Sequence, residues 1–239
     1  MSRELAGSRY PALAKGSLVL VPVGSIEQHG PHLPLDTDTA IAIAVAERAA
    51  DLLVDPNVLV APPINYGASG EHQSFAGTSS IGTEILHGVI VELTRSLRTW
   101  CARVVFVNAH GGNLTAVAGA VAQLLSEGHD VSWVPCATER ADGHAGFTET
   151  SLMLYLRPWA VRLDLAEAGN TLPLGQLLGD LIEGGMAAVS PNGVLGDPIG
   201  SSALEGERVL GAMAADVAAA VRDGEPDGRG CLRMAERSW

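Results

Sequence analysis

Glu27 and His29 stand two residues apart in the run Gly24-Ser25-Ile26-Glu27-Gln28-His29-Gly30-Pro31-His32-Leu33-Pro34-Leu35-Asp36-Thr37-Asp38. Glycines and prolines keep the segment out of helix and sheet, so this density of Glu, His and Asp belongs on a loop. In extended backbone, side chains at i and i+2 lie on one side, so a carboxylate oxygen and an imidazole nitrogen converge on one point. Asp38, at the start of a helical pattern, can return to that point. Such a set accepts zinc, iron or manganese. A plainer alternative exists for each residue: Glu-x-His pairs are common on loops, and Asp36 or Thr37 also suits a helix N-cap.

Two further stretches supply partners. Asn108-Ala109-His110-Gly111-Gly112-Asn113 offers His110, with Gly111 and Gly112 allowing backbone to approach a metal or substrate closely. His144-Ala145-Gly146-Phe147-Thr148-Glu149-Thr150-Ser151 offers Glu149 as a fifth ligand, or as a catalytic carboxylate, and His144 as a proton carrier. Two metals sharing one bridging carboxylate, here Asp38, would lower the pKa of a water and polarise a carbonyl, which suits hydrolysis of an amide. His144 would then protonate the departing nitrogen; the alternative is a structural histidine. His32, His72, His87 and His129 rank behind it.

The elements that must position these residues follow from periodicity. Leu18 to Val23, Val58 to Ala61, Arg103 to Asn108 and Asp130 to Pro135 read as strands. Arg103 to Asn108 is apolar on both faces, as a central parallel strand requires. Asp38 to Leu53, Thr83 to Cys101, a segment ending at Leu125, Leu152 to Leu156 and Glu205 to Val221 read as helices. Asn65 to Gly82 is a long Gly- and Ser-rich loop carrying Glu71, His72, Gln73 and Ser74, and such loops tend to be functional. Residues 159 to 200 give no clear assignment. Strand, loop and helix repeat at least three times, predicting a parallel sheet with helices on both faces. Ligands bind such sheets at the carboxyl ends of the strands, where the Glu27 and His110 loops both fall. The expected organisation is an N-terminal arm over 1–16, one hydrolase domain over 17–222, and a flexible tail over 223–239.

Composition narrows the partners. The net charge of −12 argues against nucleic acid and anionic membrane surfaces, which favour basic patches. Three cysteines without CxxC spacing argue against a disulfide framework or structural zinc site and fit a reducing cytoplasm. No stretch is long and apolar enough to span a membrane.

The three quoted motifs together resemble the creatininase family of metal-dependent amidohydrolases, over about residues 15 to 220. The resemblance implies a three-layer α/β/α sandwich and a homo-oligomer, hexameric or larger. It also implies two divalent ions (Zn, Fe or Mn) per chain, with Glu27, His29, Asp38 and His110 as ligands and His144 as the catalytic histidine. Two departures from creatininase itself stand out. Creatininase has a metal-binding glutamate two residues after the motif histidine; here that position is Gly112, leaving Glu149 as the available carboxylate. The loop Thr138-Glu139-Arg140-Ala141-Asp142-Gly143 also lacks the tryptophan that covers creatinine. Within the family, the sequence is most similar to the peptidase branch that acts on a short, enzymatically modified precursor peptide during cofactor maturation. This implies release of a C-terminal Val-Tyr-derived dipeptide. Arg140 is then a candidate for binding a peptide carboxylate, with Gly112 also against substrate. Hydrolysis of a formamidopyrimidine or of a creatinine-type cyclic amide are alternatives; a non-catalytic assembly protein is a third, disfavoured by the intact ligand set.

Overall fold

The computed structural model describes residues 3–137 and 142–233. Four parallel strands form the central sheet: β1 (Leu18–Val23), β2 (Val58–Val60), β3 (Arg103–Asn108) and β4 (Val131–Pro135), in the order β2-β1-β3-β4. Leu18 pairs with Val58 on one side and with Arg103 on the other, and Val104 pairs with Val131. β1 and β3 are central, and their apolar residues face both ways. Val19, Val21, Val23, Val104 and Phe106 enter one core, while Leu20, Val105 and Val107 enter the other.

Helices cover both faces. α2 (Thr83–Leu97) and α3 (Leu114–Ser126) pack on the first, through Leu86, Ile90, Val117, Val121 and Leu124. α1 (Thr37–Leu52), α4 (Phe147–Leu156) and α7 (Ala203–Asp223) cover the second, through Ile41, Val45, Leu152, Val209, Leu210, Met213 and Val217. α7 is capped by Ser202, whose hydroxyl accepts the N–H of Glu205 at 3.2 Å. The result is the three-layer α/β/α sandwich expected from the alternating pattern.

Three differences from the sequence-based expectation have physical causes. α4 begins at Phe147, five residues before the expected start at Leu152, because its first turn is polar yet buried: Thr148, Thr150 and Ser151 face inward. Asp142 caps it, accepting the N–H groups of Phe147 and, at 2.9 Å, Thr148. The unassigned stretch contains α5 (Leu174–Gly184) and α6 (Met186–Val189), joined at Gly185, whose φ of 69° suits glycine. The segment from 223, expected as a flexible tail, starts with the last residue of α7 and continues, as far as it is described, in a hairpin of β5 (Glu225–Pro226) with β6 (Leu232–Arg233). Leu232 is buried there, and Trp133 of β4 donates its backbone and indole N–H groups to Gly230 and Arg229, both at 3.0 Å. At the other end, Val60 donates to Arg3 at 2.8 Å and Leu5 to Val60 at 2.9 Å, so the arm runs along β2.

Candidate metal centre

The loops after all four strands meet at the carboxyl edge of the sheet. β1 delivers Glu27 and His29, and α1 begins with Asp38 in its first turn. β3 delivers His110, the loop after β4 delivers His144, and α4 delivers Glu149. The structure thus brings together all six residues that the sequence singled out for metal and proton chemistry.

Asp38 lies at the middle. Its Oδ1 is 3.1 Å from His29 Nε2, and its Oδ2 is 3.2 Å from His110 Nδ1. Ser25 fixes the carboxylate by donating to Oδ2 at 2.7 Å. On the far side of His29, Glu149 Oε2 stands 3.8 Å from Nε2 and accepts the N–H of Ala145 at 2.6 Å. Ala145 is buried with a φ of 54°, a left-handed conformation that costs a residue with a Cβ on the order of 1–3 kcal/mol. The strained residue is the one that aims its N–H at Glu149.

Glu27 is fully buried, and neither carboxylate oxygen has a hydrogen-bond partner. Its nearest cation-forming neighbours are His110 Nε2 at 3.1 Å, His72 Nε2 at 3.4 Å and His144 Nδ1 at 3.6 Å. A buried carboxylate without hydrogen bonds costs several kcal/mol unless a cation offsets it, and in the metal-free protein the protonated His110 at 3.1 Å is that cation, in the place a metal ion would take over. Three groups of side chains here could each hold a divalent ion: Glu27, Asp38 and His110; His29, His144 and Glu149; and Glu27, His72 and His144. The donor set of carboxylate and imidazole suits zinc, iron or manganese.

The electrostatics say the same. Burial works against a charge on His29, yet Asp38, with Glu149 and Glu27 behind it, raises its pKa to about 10. His110 is likewise raised, burial being outweighed by Glu27 and Asp38. Burial, with Asp38 nearby, pushes Glu149 up to about 7. Three carboxylates therefore draw positive charge into a largely buried site. His144 behaves oppositely: burial, and next the charge on His29, hold its pKa well below the ordinary value.

Other residues differ from their sequence reading. His72, ranked low, is buried against Glu27. Glu71 Oε1 is 3.5 Å from His110 Nε2, and a Cβ on Gly112 would lie 2.5 Å from that carboxylate oxygen. The glycine at 112 leaves room for the main-chain carbonyl of Ala68 and for Glu71 beside His110. The one signal for both residues was their polarity in an otherwise Gly- and Ser-rich loop. Of the remaining histidines, His32 contacts Thr150 at 2.9 Å, His87 contacts Gln123 at 2.9 Å and His129 contacts Glu127 at 3.7 Å, all structural pairings. Arg140 lies outside the described residues.

Above the centre opens a cavity of about 670 Å³, walled on one side by Asp38, His110, His144 and Glu149 and on the other by Leu174, Leu178, Leu181, Ile182 and Met186 of α5 and α6. It is polar at its floor and apolar along its flank.

A creatinine amidohydrolase family model matches residues 4–221. The mycofactocin precursor peptide peptidase of Mycolicibacterium smegmatis is 52% identical over 218 residues, covering 90% of this chain and 88% of that protein. A manganese creatininase structure aligns with a TM-score of 0.76 at 26% identity, covering 93% of this chain and 98% of that one. A mutant creatininase of Zn-Zn type aligns with a TM-score of 0.77 at 25% identity and the same coverage.

Proposed function

The chain belongs to the creatininase family and is an amide hydrolase of it; we propose that it cleaves the modified mycofactocin precursor peptide, releasing a dipeptide derived from its C-terminal Val-Tyr, with the help of two divalent metal ions. The observation that carries the metal reading is the orphaned carboxylate of Glu27, buried among His72, His110 and His144. Glu27, Asp38 and His110 would hold one ion; His29, Glu149 and the second oxygen of Asp38 would hold the other. The ions would supply a water of lowered pKa and would polarise the amide carbonyl.

The chain's own residues account for the proton transfers. His144 Nε2 lies 2.8 Å from the carbonyl oxygen of Gln28, so this nitrogen carries the proton and Nδ1 faces the centre with its lone pair. Neutral at pH 7, the imidazole accepts a proton there and returns it to the departing amide nitrogen, as general base and then general acid. Glu149, held by the Ala145 N–H, keeps its carboxylate directed at His29. The α5 flank receives the apolar side chains at the peptide's end and excludes water from the scissile bond.

The substrate assignment is supported by the half-identical relative, whose printed name is a precursor peptide peptidase. In this reading the chain assembles with copies of itself, as a hexamer or larger, and works in the cytoplasm; none of its described helices is long and apolar enough to cross a membrane. Arg140 retains its proposed role of pairing with a peptide carboxylate. The test is mass spectrometry of metal-loaded protein incubated with the radical-modified precursor peptide. A product short of its last two residues supports the reading; an intact peptide, with a formamidopyrimidine turned over instead, replaces it.

A further inference from the structure

We propose that Gln28, between Glu27 and His29, is a positioning residue that fixes which ring nitrogen His72 and His144 each present to the centre. Its side-chain amide sets His72, and its main-chain carbonyl sets His144.

The argument starts from the amide, which is buried. Gln28 Oε1 accepts the N–H of Gly30 at 2.9 Å, and Nε2 donates to the carbonyl of Gly193 at 2.9 Å. One acceptor contact and one donor contact decide which end of the amide is oxygen. A single N–H remains, with two ring nitrogens in reach: His72 Nδ1 at 2.9 Å and His144 Nε2 at 3.1 Å.

The main chain breaks the tie. His144 Nε2 also lies 2.8 Å from Gln28 O. A carbonyl has no proton to give, so the contact is a hydrogen bond only when His144 Nε2 carries the hydrogen. That nitrogen then cannot accept the remaining Gln28 N–H, which goes to His72 Nδ1. His72 must hold its own hydrogen on Nε2, 3.4 Å from Glu27 Oε1. The opposite assignment sets two lone pairs against each other at 2.8 Å and leaves His72 Nδ1 without a partner, a cost on the order of 1–3 kcal/mol for each buried group.

Two packing features hold this arrangement. His144 is tied to the loop that carries Gly193, donating its backbone N–H to Leu195 at 3.0 Å and accepting from Leu195 at 2.8 Å. Gly193 has a φ of 77°, and a Cβ there would sit 2.5 Å from Gln28 Cδ. The glycine admits the amide. Through it, His72 turns its Nε2–H towards Glu27 Oε1 at 3.4 Å, a contact short of a hydrogen bond, and leaves the other oxygen for an ion, the kind of outer contact that orients a metal-binding carboxylate. His144 is left with the lone pair of Nδ1 facing the centre, 3.6 Å from Glu27 Oε1.

The inference rests on the metallopeptidase reading for the use made of these nitrogens, but its test does not. In zinc-loaded protein labelled with ¹⁵N-histidine, long-range ¹H–¹⁵N spectra should show the Nε2–H pattern for both His72 and His144. In Gln28→Met, His144 should keep that pattern, His72 should lose it, and zinc affinity should fall about 10- to 100-fold. If Gln28→Met does not fold, the wild-type spectrum decides alone, and Gly193→Ala should disturb His72 in the same way. A proton on Nδ1 of either ring in the wild type, or an unchanged His72 pattern in Gln28→Met, overturns the proposal. Both expected patterns in a protein that leaves the peptide intact would sink the peptidase reading and keep this one.

Discussion

Asp38 reaches His29 with one carboxylate oxygen, Oδ1 at 3.1 Å from Nε2, and spends the other on His110 at 3.2 Å. One side chain thus joins a histidine from the loop after β1 to a histidine from the loop after β3. Its position in the first turn of α1, with Ser25 holding Oδ2 at 2.7 Å, makes this spacing a property of the scaffold and not of a flexible side chain.

Asp38→Ala should therefore lose both ions, and turnover with them, by more than the roughly 10- to 100-fold that removal of an outer contact costs. Elemental analysis of the purified variant checks it. Two equivalents of metal in that variant would refute the bridging role.

His144→Gln should keep its metal and lose about 10²- to 10⁴-fold in kcat with KM little changed, since the residue moves a proton and does not hold the ion. Steady-state kinetics beside metal analysis separates the two effects. A parallel loss of metal would instead make His144 a ligand, as its grouping with His29 and Glu149 allows.

Metal affinity should rise with pH. His29, raised to about 10, and His110, also raised, are both protonated at pH 7 in the metal-free protein, and an ion binds only the neutral imidazole. Binding then releases protons, so the logarithm of the association constant climbs by about one to two per pH unit between pH 7 and 9. The folding linkage has the opposite sign. His29 sits above its ordinary 6.5, so its stabilising contribution to the metal-free protein is complete below pH 6.5 and is lost as pH rises towards 10. Competition titrations with a chelator, and thermal melts of the metal-free form, check the two signs.

Gly112→Ala should cost about 1–3 kcal/mol, as overpacking does, because the new Cβ would meet the backbone carbonyl of Ala68 and lie 2.5 Å from both Glu71 Oε1 and His110 Nε2. The carbonyl cannot move aside as a side chain can. A lowered melting temperature with weaker metal binding is the expected pair of results; a variant matching the wild type in both would show that Glu71 needs no such space.

Much of this was legible in the sequence, for identifiable reasons. Leu18–Val23 and Arg103–Asn108 are apolar on both faces, and only a central parallel strand buries both. Glu27, His29, Asp38 and His110 declared themselves through residue type and through position at strand ends. His72 did not, because it is separated from His29 by a helix and a strand, and only the fold of the 61–82 loop returns it to Glu27. The start of α4 was hidden for a related reason: Thr148, Thr150 and Ser151 are polar residues that a periodicity rule assigns to solvent, yet all three are buried and Thr148 lines the cavity. α5 and α6 were obscured by the glycines and prolines around them.

The most direct test of the two-ion account is anomalous diffraction from crystals of the metal-loaded protein, recorded at the absorption edge of the bound element. The account predicts two peaks per chain, one among Glu27, Asp38 and His110 and one among His29, Asp38 and Glu149. A single peak, or a peak among Glu27, His72 and His144 with Asp38 left out, would contradict it.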